Sequence, residues 1–150
     1  MNNLEILDSL RTLITSAPEA TSLLSQVVTL LRRERPHYHW VGVYLLQEGE
    51  LVLGPYVGKP TLHTRIPLNQ GICGAAASTG QTIIVDDVNA DPRYLACSLE
   101  TRAEIVVPIV LKGHVLGEID IDSDQLAAFT PHDRELLQAV AALLAETIGK

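Results

Sequence analysis

Two neighbouring segments, Glu104–Leu111 and Val115–Asp122, constrain the fold more than any other part of the chain. Val and Ile alternate with other residues along both segments, which predicts two antiparallel strands that share one apolar face. Side chains that face each other across a hairpin lie on the same side of the sheet, so aligning two odd-numbered sets requires a connection of odd length. We therefore predict the three-residue connection Lys112-Gly113-His114. The aligned apolar sets are Ile105, Val107 and Ile109 on the first strand and Val115, Ile119 and Ile121 on the second.

The same register places three acidic side chains, Glu104, Asp120 and Asp122, on the opposite face. Acidic residues, Asp in particular, are disfavoured in strands, so their presence needs an explanation. One interpretation is that this face is solvated and the acids keep a sheet edge soluble. The other is that the face is partly buried, in which case burial and mutual repulsion raise the pKa of at least one carboxyl group. A carboxyl group that keeps its proton near neutral pH can act as an acid.

The rest of the chain predicts an α+β fold in which a central antiparallel sheet is flanked by N-terminal and C-terminal helices. The first and last helices are expected to lie together because they bracket the sheet. A length of 150 residues predicts a single domain over residues 1–150. The predicted helices are residues 3–15, a second ending near Arg35-Pro36, Gly71–Gly80, and Thr130-Pro131 to about Ile148. The other predicted strands are Trp40–Leu46, Leu51–Leu53, Arg65–Pro67 and Thr82–Val85.

Charge and hydropathy exclude several classes of function. The formal net charge of -7 works against binding to the phosphate backbone, so no nucleic-acid partner is expected. No apolar run is long enough for a membrane-spanning helix, so no membrane partner is expected either. The N-terminus mixes acidic residues with leucines and lacks the features of a secretory signal, which predicts a cytoplasmic protein.

The two cysteines, Cys73 and Cys97, suggest redox chemistry. Cys97 precedes Glu104 by seven residues, in the loop that leads into the first acidic strand, so its sulfur can reach the same cavity. A thiolate can attack a sulfoxide sulfur if a carboxyl group protonates the oxygen, which leaves a sulfenic acid on the enzyme. Cys73 could condense with it to a disulfide, which a small thiol protein could reduce. The alternative is that both are plain buried cysteines, since a permanent disulfide is disfavoured in a reducing cytoplasm.

Trp40 and Tyr44 are four residues apart on a predicted strand and therefore share a face. They could line an apolar wall of a binding pocket, or they could be ordinary core residues. Two histidines, His37 and His39, flank Tyr38, but no Cys or acid lies nearby at the spacing of a metal site. The sequence therefore predicts no cofactor and no metal.

Several segments between Trp40 and Thr130 form a recognisable set when they are read together. They are W-V-G-V-Y-L-L, L-V-L-G-P-Y-V-G-K, R-I-P-L-N-Q-G-I-C-G, D-D-V, A-C-S, E-I-V-V-P-I-V and G-E-I-D-I-D-S. Together they resemble the free methionine-(R)-sulfoxide reductases, small members of the GAF-domain superfamily. The Trp-x-Gly-x-Tyr and Ile-Asp-Ile-Asp-Ser patterns and the cysteine positions point to this branch of the superfamily.

The resemblance implies free methionine sulfoxide as the substrate and Cys97 as the thiol that attacks it. Trp40 and Tyr44 would enclose the S-methyl end of the substrate, and Asp87 would be a further ligand of its amino group. Backbone N–H groups around Cys97 would receive the carboxylate, so that contacts to both free termini exclude peptide-bound methionine. The acids Glu104, Asp120 and Asp122 would polarise the sulfoxide oxygen and hold the amino group.

One departure from the family bears on turnover. Members commonly carry a third cysteine two residues before the Arg of R-I-P, where this chain has His63. Either Cys73 takes over as the resolving thiol, or an outside thiol reduces the sulfenic acid, or turnover is lost and only the pocket remains. His63 itself would be a lone exposed histidine, a compensating base or a metal ligand.

The leading hypothesis is a reductase that a thioredoxin-like partner recycles, and the rival is a non-catalytic GAF module that binds a small ligand for sensing. An exposed leucine stripe on the first helices would also allow a homodimer.

Overall fold

The computed structural model describes residues 1–17, 19–95 and 99–149, which form four α-helices, a short 3-10 helix and a six-stranded antiparallel sheet. The predicted α+β class is therefore confirmed. The helices are α1 (Asn3–Ser16), α2 (Ala20–Glu34), α3 (Gly71–Thr79) and α4 (Pro131–Ile148), and the 3-10 helix is Val88–Ala90. The strands are β1 (Trp40–Gln47), β2 (Glu50–Val57), β3 (Arg65–Pro67), β4 (Ile83–Val85), β5 (Ala103–Leu111) and β6 (His114–Ser123).

The strand order in the sheet is β3-β2-β1-β6-β5-β4, so β1 and β6 lie at its centre. Helices α1, α2 and α4 cover one face, and α1 contacts α4 as predicted. Aliphatic side chains fill the space between these helices and the sheet, and the side chains of Val43, Ile105 and Ile119 are among the buried residues of this helical core. None of the helices in the described ranges has the length and apolar character that spanning a bilayer requires.

The connection between β5 and β6 differs from the prediction of three residues. Leu111 pairs with His114 across the two-residue turn Lys112-Gly113, whose φ angles are 51° and 80°. Positive φ at both central residues is the geometry of a type I′ turn, whose twist matches that of the flanking strands. The prediction of a three-residue connection was wrong. It assumed that a two-residue turn could not bring the odd-numbered residues of β5 opposite those of β6.

A β-bulge restores that alignment. Val110 pairs with Val115, but the next pair is Ile109 with Gly117, which leaves Leu116 as the extra residue on β6. Beyond the bulge, odd-numbered residues face each other, as predicted. Val115 lies before the bulge and packs against the cluster on the other face of the sheet, so the prediction that it shares a face with Ile119 and Ile121 was wrong.

The second face of the sheet is covered by α3 and by the segments that flank it. A smaller apolar cluster lies here, which includes Trp40, Tyr44, Ile72 and Val106. The acidic residues of β5 and β6 point towards this cluster and not towards the helical core. The carboxyl groups of these two strands therefore lie on this face.

The leucine stripe of α1 is not the exposed surface that a helix-mediated dimer would use. Leu10 is buried, and Leu7 and Ile14 pack against the helical core. Leu4 is exposed. The homodimer stays a prediction.

Candidate active site

A row of four carboxyl groups crosses the second face of the sheet. Glu104 on β5 pairs with Asp122 on β6, and Asp120 pairs with Val106. The fourth acid is Glu118, two residues before Asp120. Exposure is 5% for Glu104, 0% for Glu118, 3% for Asp120 and 4% for Asp122. The predicted grouping of three acids is confirmed, and the interpretation that they form a solvated face is wrong.

Sequence analysis missed Glu118. It lies on the same strand as Asp120 and Asp122, and the same alternation of side chains that grouped those two acids includes it. The signal was therefore present in the G-E-I-D-I-D-S segment. Glu118 pairs with Tyr44 on β1 and with Pro108 on β5.

Burial raises the pKa of Glu118, Asp120 and Asp122 above the ordinary range of carboxyl groups. The charge of Asp120 raises the pKa of Glu118 and of Asp122 further. A hydrogen bond with Glu104 opposes the shift of Asp120 and of Asp122. A hydrogen bond with the thiol of Cys73 opposes the shift of Glu118. Within the described part of the chain, one oxygen each of Asp120 and Asp122 lacks a hydrogen-bond partner. The row therefore keeps protons to higher pH than ordinary carboxyl groups do and has oxygens to offer a ligand.

Cys73 brings a thiol to the same place. It lies in the first turn of α3, is buried, and donates a hydrogen bond from Sγ to Oδ2 of Asp120 at 3.4 Å. A helix N-terminus lowers a thiol pKa, but burial and the carboxylates of Asp120, Glu118 and Glu104 raise the pKa of Cys73 well above its usual value. The effects of burial and negative charge on the pKa outweigh that of the helix N-terminus, so Cys73 is held as a neutral thiol.

Three ligand-type atoms converge beside α3. Sγ of Cys73 and a carboxylate oxygen from each of Glu104 and Asp120 all lie within 4.8 Å of one another. Sequence spacing does not reveal this group, because its members come from α3, β5 and β6 and are far apart in the chain.

An aromatic wall stands beside the acid row. The ring centroids of Trp40 and Tyr44 are 6.5 Å apart, and the ring of Trp40 stacks on that of Tyr56 at 5.5 Å. Nε1 of Trp40 donates to the carbonyl oxygen of Lys59 at 3.0 Å, and the hydroxyl of Tyr44 donates to that of His63 at 2.7 Å. Both rings also belong to the apolar cluster of this face. Trp40 and Tyr44 are therefore core residues and also form the wall, although the sequence analysis treated these roles as alternatives.

Two cavities are lined in part by acids of β6. One has a volume of about 20 Å³, enough for about one water molecule, and its lining includes Tyr44, Cys73, Glu104 and Asp120. The other has a volume of about 420 Å³, within the range of small-molecule sites, and its lining includes Trp40 and Asp122. The acid row therefore contributes to both cavities.

The other predicted site residues are placed as follows. Cys97 lies outside the described residues. Asp87 is exposed, and its Oδ1 accepts a hydrogen bond from the N–H of Asn89 at 3.1 Å at the start of the 3-10 helix. It lines neither cavity, so its contact with a substrate stays a prediction. His63 is half-buried and lines the smaller cavity, so the expectation of a lone exposed histidine was wrong. His37 hydrogen-bonds Asp133 through Nε2 at 3.0 Å.

Comparison with known proteins shows what this arrangement resembles. Residues 19–148 match the GAF domain family. The chain is 35% identical over 126 residues to the free methionine-R-sulfoxide reductase of Escherichia coli, covering 84% of this chain and 76% of that one. It is 34% identical to the solved structure of the Neisseria meningitidis reductase in complex with its substrate, with a TM-score of 0.92 over 98% of this chain and 88% of that one. The substrate complex of the Staphylococcus aureus reductase is 33% identical, with a TM-score of 0.90 over 98% of this chain and 95% of that one.

Proposed function

The chain belongs to the GAF domain family and, within it, to the free methionine-R-sulfoxide reductases, and on this premise we propose that it reduces free L-methionine-(R)-S-oxide to L-methionine. The observation that carries the proposal is the buried row of carboxyl groups beside an aromatic wall and a thiol. Breaking a sulfoxide S–O bond needs a proton donor at the oxygen, and carboxyl groups with a raised pKa keep a proton to higher pH than ordinary carboxyl groups do.

Cys97 acts as the nucleophile in this proposal. Its thiolate attacks the sulfoxide sulfur while a carboxyl group of the row donates a proton to the oxygen. The oxygen passes to the sulfur of Cys97, which becomes a sulfenic acid, and methionine leaves with a lone pair on its sulfur. The two electrons that reduce the substrate come from the thiol.

Cys73 suits the second step better than the first. It hydrogen-bonds Asp120, so in the second step that carboxylate can take the thiol proton, which the raised pKa of Cys73 otherwise keeps on its sulfur. When it condenses with the sulfenic acid, a disulfide forms and water leaves. A thioredoxin-like dithiol then reduces the disulfide by exchange, which restores both thiols. If Cys73 does not resolve the intermediate, an outside thiol does so directly.

Substrate orientation follows from the two sides of the site. Trp40 and Tyr44 present apolar faces to the S-methyl group, and Glu104, Asp120 and Asp122 face the sulfoxide oxygen and the amino group. A cavity of about 20 Å³ beside Tyr44 is too small for methionine sulfoxide, so binding there requires the surrounding side chains to move apart. The adjoining cavity beside Trp40 gives the substrate a route to the acid row.

The test measures methionine formation from each sulfoxide epimer, with dithiothreitol or with thioredoxin as reductant. We expect turnover of the R epimer only, its loss in Cys97→Ser, and in Asp120→Asn a fall in kcat/KM of about 100-fold, the scale of losing a general acid. Cys73→Ser should lose the thioredoxin-dependent rate and retain the dithiothreitol-dependent rate. Glu50→Gln, which removes a half-buried carboxylate on β2, is the matched control.

Absence of turnover by the wild type would overturn the reductase proposal. If methionine sulfoxide then still bound, the chain would be a ligand-binding module instead. Loss of the dithiothreitol-dependent rate in Cys73→Ser together with its survival in Cys97→Ser would reverse the roles of the two cysteines.

A further inference from the structure

We propose that Cys73, Glu104 and Asp120 form a binding site for a zinc ion, and that zinc bound there blocks the active site. Their ligand atoms lie within 4.8 Å of one another and come from three different elements. All three residues are buried, and they line the same cavity of about 20 Å³. That volume admits about one water molecule or an ion of similar size, but no methionine sulfoxide.

The spacing of these atoms is close to that of zinc ligands. With Zn–S near 2.3 Å and Zn–O near 2.1 Å, the ligand atoms of a tetrahedral site lie about 3.4–3.6 Å apart. Sγ of Cys73 and Oδ2 of Asp120 are already 3.4 Å apart. The remaining separations are at most 4.8 Å, so the third ligand needs to approach by no more than about 1.4 Å.

One observation besides the distances points to a cation. Within the described residues, Oδ1 of Asp120 is buried without a hydrogen-bond partner, and Asp120 lines the cavity. The neighbouring Glu118 is fully buried and adds a further carboxyl group that interacts with the thiol of Cys73. Buried carboxylates are costly unless a proton or a cation neutralises them, and no Lys or Arg is among the described residues that line this cavity.

The ligand set selects the metal. Mg²⁺ and Ca²⁺ prefer all-oxygen sites with six or more ligands, whereas a thiolate combined with two carboxylates suits Zn²⁺. Zinc binding displaces the proton of the Cys73 thiol, and any proton on the two carboxyl groups, to the solvent. Three protein ligands leave the fourth tetrahedral position to water, as in zinc sites that are not closed by a fourth residue. We therefore expect one zinc ion per chain, held at the base of the acid row.

Zinc at this place would compete with the substrate. Glu104 and Asp120 are the groups proposed to act on the sulfoxide oxygen, and a metal that holds them together with Cys73 also stabilises the small form of the cavity. This consequence rests on the proposed function, whereas zinc binding does not. The two are therefore tested separately.

Binding is measured on the reduced, chelator-treated full chain by titrating Zn²⁺ in competition with a chromophoric zinc indicator. We expect one bound ion, and affinities at least about tenfold lower in Cys73→Ser and in Asp120→Asn, since each removes one ligand. Glu50→Gln should bind as the wild type does. Unchanged affinity in both ligand variants would overturn the site.

A cobalt spectrum identifies the sulfur ligand. The chain has two cysteines, so in Cys97→Ser the thiol of Cys73 is the only one left. Co²⁺ added to Cys97→Ser should give the near-ultraviolet band of a thiolate–cobalt bond, and the band should be absent in the double variant that also carries Cys73→Ser. Zinc affinity lost in Cys97→Ser alone would overturn the assignment to Cys73. Circular dichroism verifies that each variant is folded.

Inhibition is the last measurement. Zinc should raise the apparent KM for methionine sulfoxide without lowering kcat, and a chelator should reverse the effect. Zinc that binds to Cys73 and leaves the KM of an active enzyme unchanged would overturn the blocking role. A chain that binds zinc but has no reductase activity would contradict the proposed function and leave the zinc site in place.

Discussion

The indole ring of Trp40 lies directly over the backbone of Gly42, so closely that a Cβ atom on Gly42 would come within 2.3 Å of Cη2 of the ring. Gly42 pairs with Asp120 on the neighbouring strand β6, so the ring lies beside the centre of the acid row. The position of the aromatic wall thus depends on a residue that has no side chain.

Gly42→Ala should therefore impair substrate binding. The new methyl group forces the indole away from the acid row, so we expect KM to rise more than kcat falls, with a stability loss of about 1–3 kcal/mol from overpacking. Steady-state kinetics and chemical denaturation measure the two effects. Gly54→Ala on β2, where the nearest atom to a Cβ is the carbonyl oxygen of Val43 at 3.1 Å, is the comparison. Equal KM values in the two variants would contradict this account of the wall.

Glu118→Gln should stabilise the protein at alkaline pH. The folded-state pKa of Glu118 is raised, so its contribution to stability is full below the unfolded pKa of about 4.3 and is lost as pH rises through the folded pKa. Gln has the same shape and no charge, so we expect a gain of about 1–2 kcal/mol at about pH 8 and no gain at about pH 4. Urea denaturation at both pH values measures it. A gain that is independent of pH would contradict the assignment of a buried titrating carboxyl group.

Tyr44→Phe should loosen the segment that carries His63. The hydroxyl of Tyr44 donates to the carbonyl oxygen of His63, which lines the smaller cavity. Losing one buried hydrogen bond costs about 1 kcal/mol and should raise KM a few-fold, by about the equivalent free energy. Tyr56→Phe keeps the ring that stacks on Trp40 and should leave KM unchanged. A KM equal to that of the wild type would show that the hydrogen bond does not position the segment.

Tyr38→Phe should weaken the fold without affecting turnover. The hydroxyl of Tyr38 donates to Oδ1 of Asp133 at 2.6 Å; Tyr38 belongs to the helical core, and Asp133 lies in the first turn of α4. Burial alone would raise the pKa of Asp133, but hydrogen bonds from Thr130, Tyr38 and His37 outweigh it and lower the pKa. We expect a loss of about 1–3 kcal/mol at neutral pH, since a buried acceptor loses its donor.

The pH dependence of that loss is a further check. A lowered carboxyl pKa gives stability that is present above the unfolded pKa of about 3.9 and disappears as pH falls through the folded pKa. The difference between Tyr38→Phe and the wild type should therefore shrink on acidification to about pH 3. A difference that stays constant across this range would mean that packing, and not the carboxylate of Asp133, accounts for it.

Alternation of side chains was enough to predict the strands, the apolar face and the grouping of Glu104, Asp120 and Asp122. It failed at the hairpin end because a bulge leaves no mark in composition: Leu116 is as apolar as its neighbours, and its extra place in the strand appears only in the pairing. Glu118 was within reach of the same reasoning.

The convergence of Cys73 with Glu104 and Asp120 was beyond sequence reasoning. It depends on where α3 lies across β5 and β6, which follows from how the pieces of the chain pack and not from their spacing. The position of Cys97 relative to this group stays a prediction, since it lies outside the described residues.

The sheet separates two environments with opposite requirements. Its helical face is aliphatic and supplies the apolar burial that favours folding, while its other face holds four carboxyl groups that burial destabilises when they are charged. A trade-off between stability and activity is therefore built into the two sides of β5 and β6. Selection for thermal stability alone would be expected to replace acids of the row with neutral residues, and at Glu104, Asp120 or Asp122 such a gain would remove a group that the proposed reaction uses.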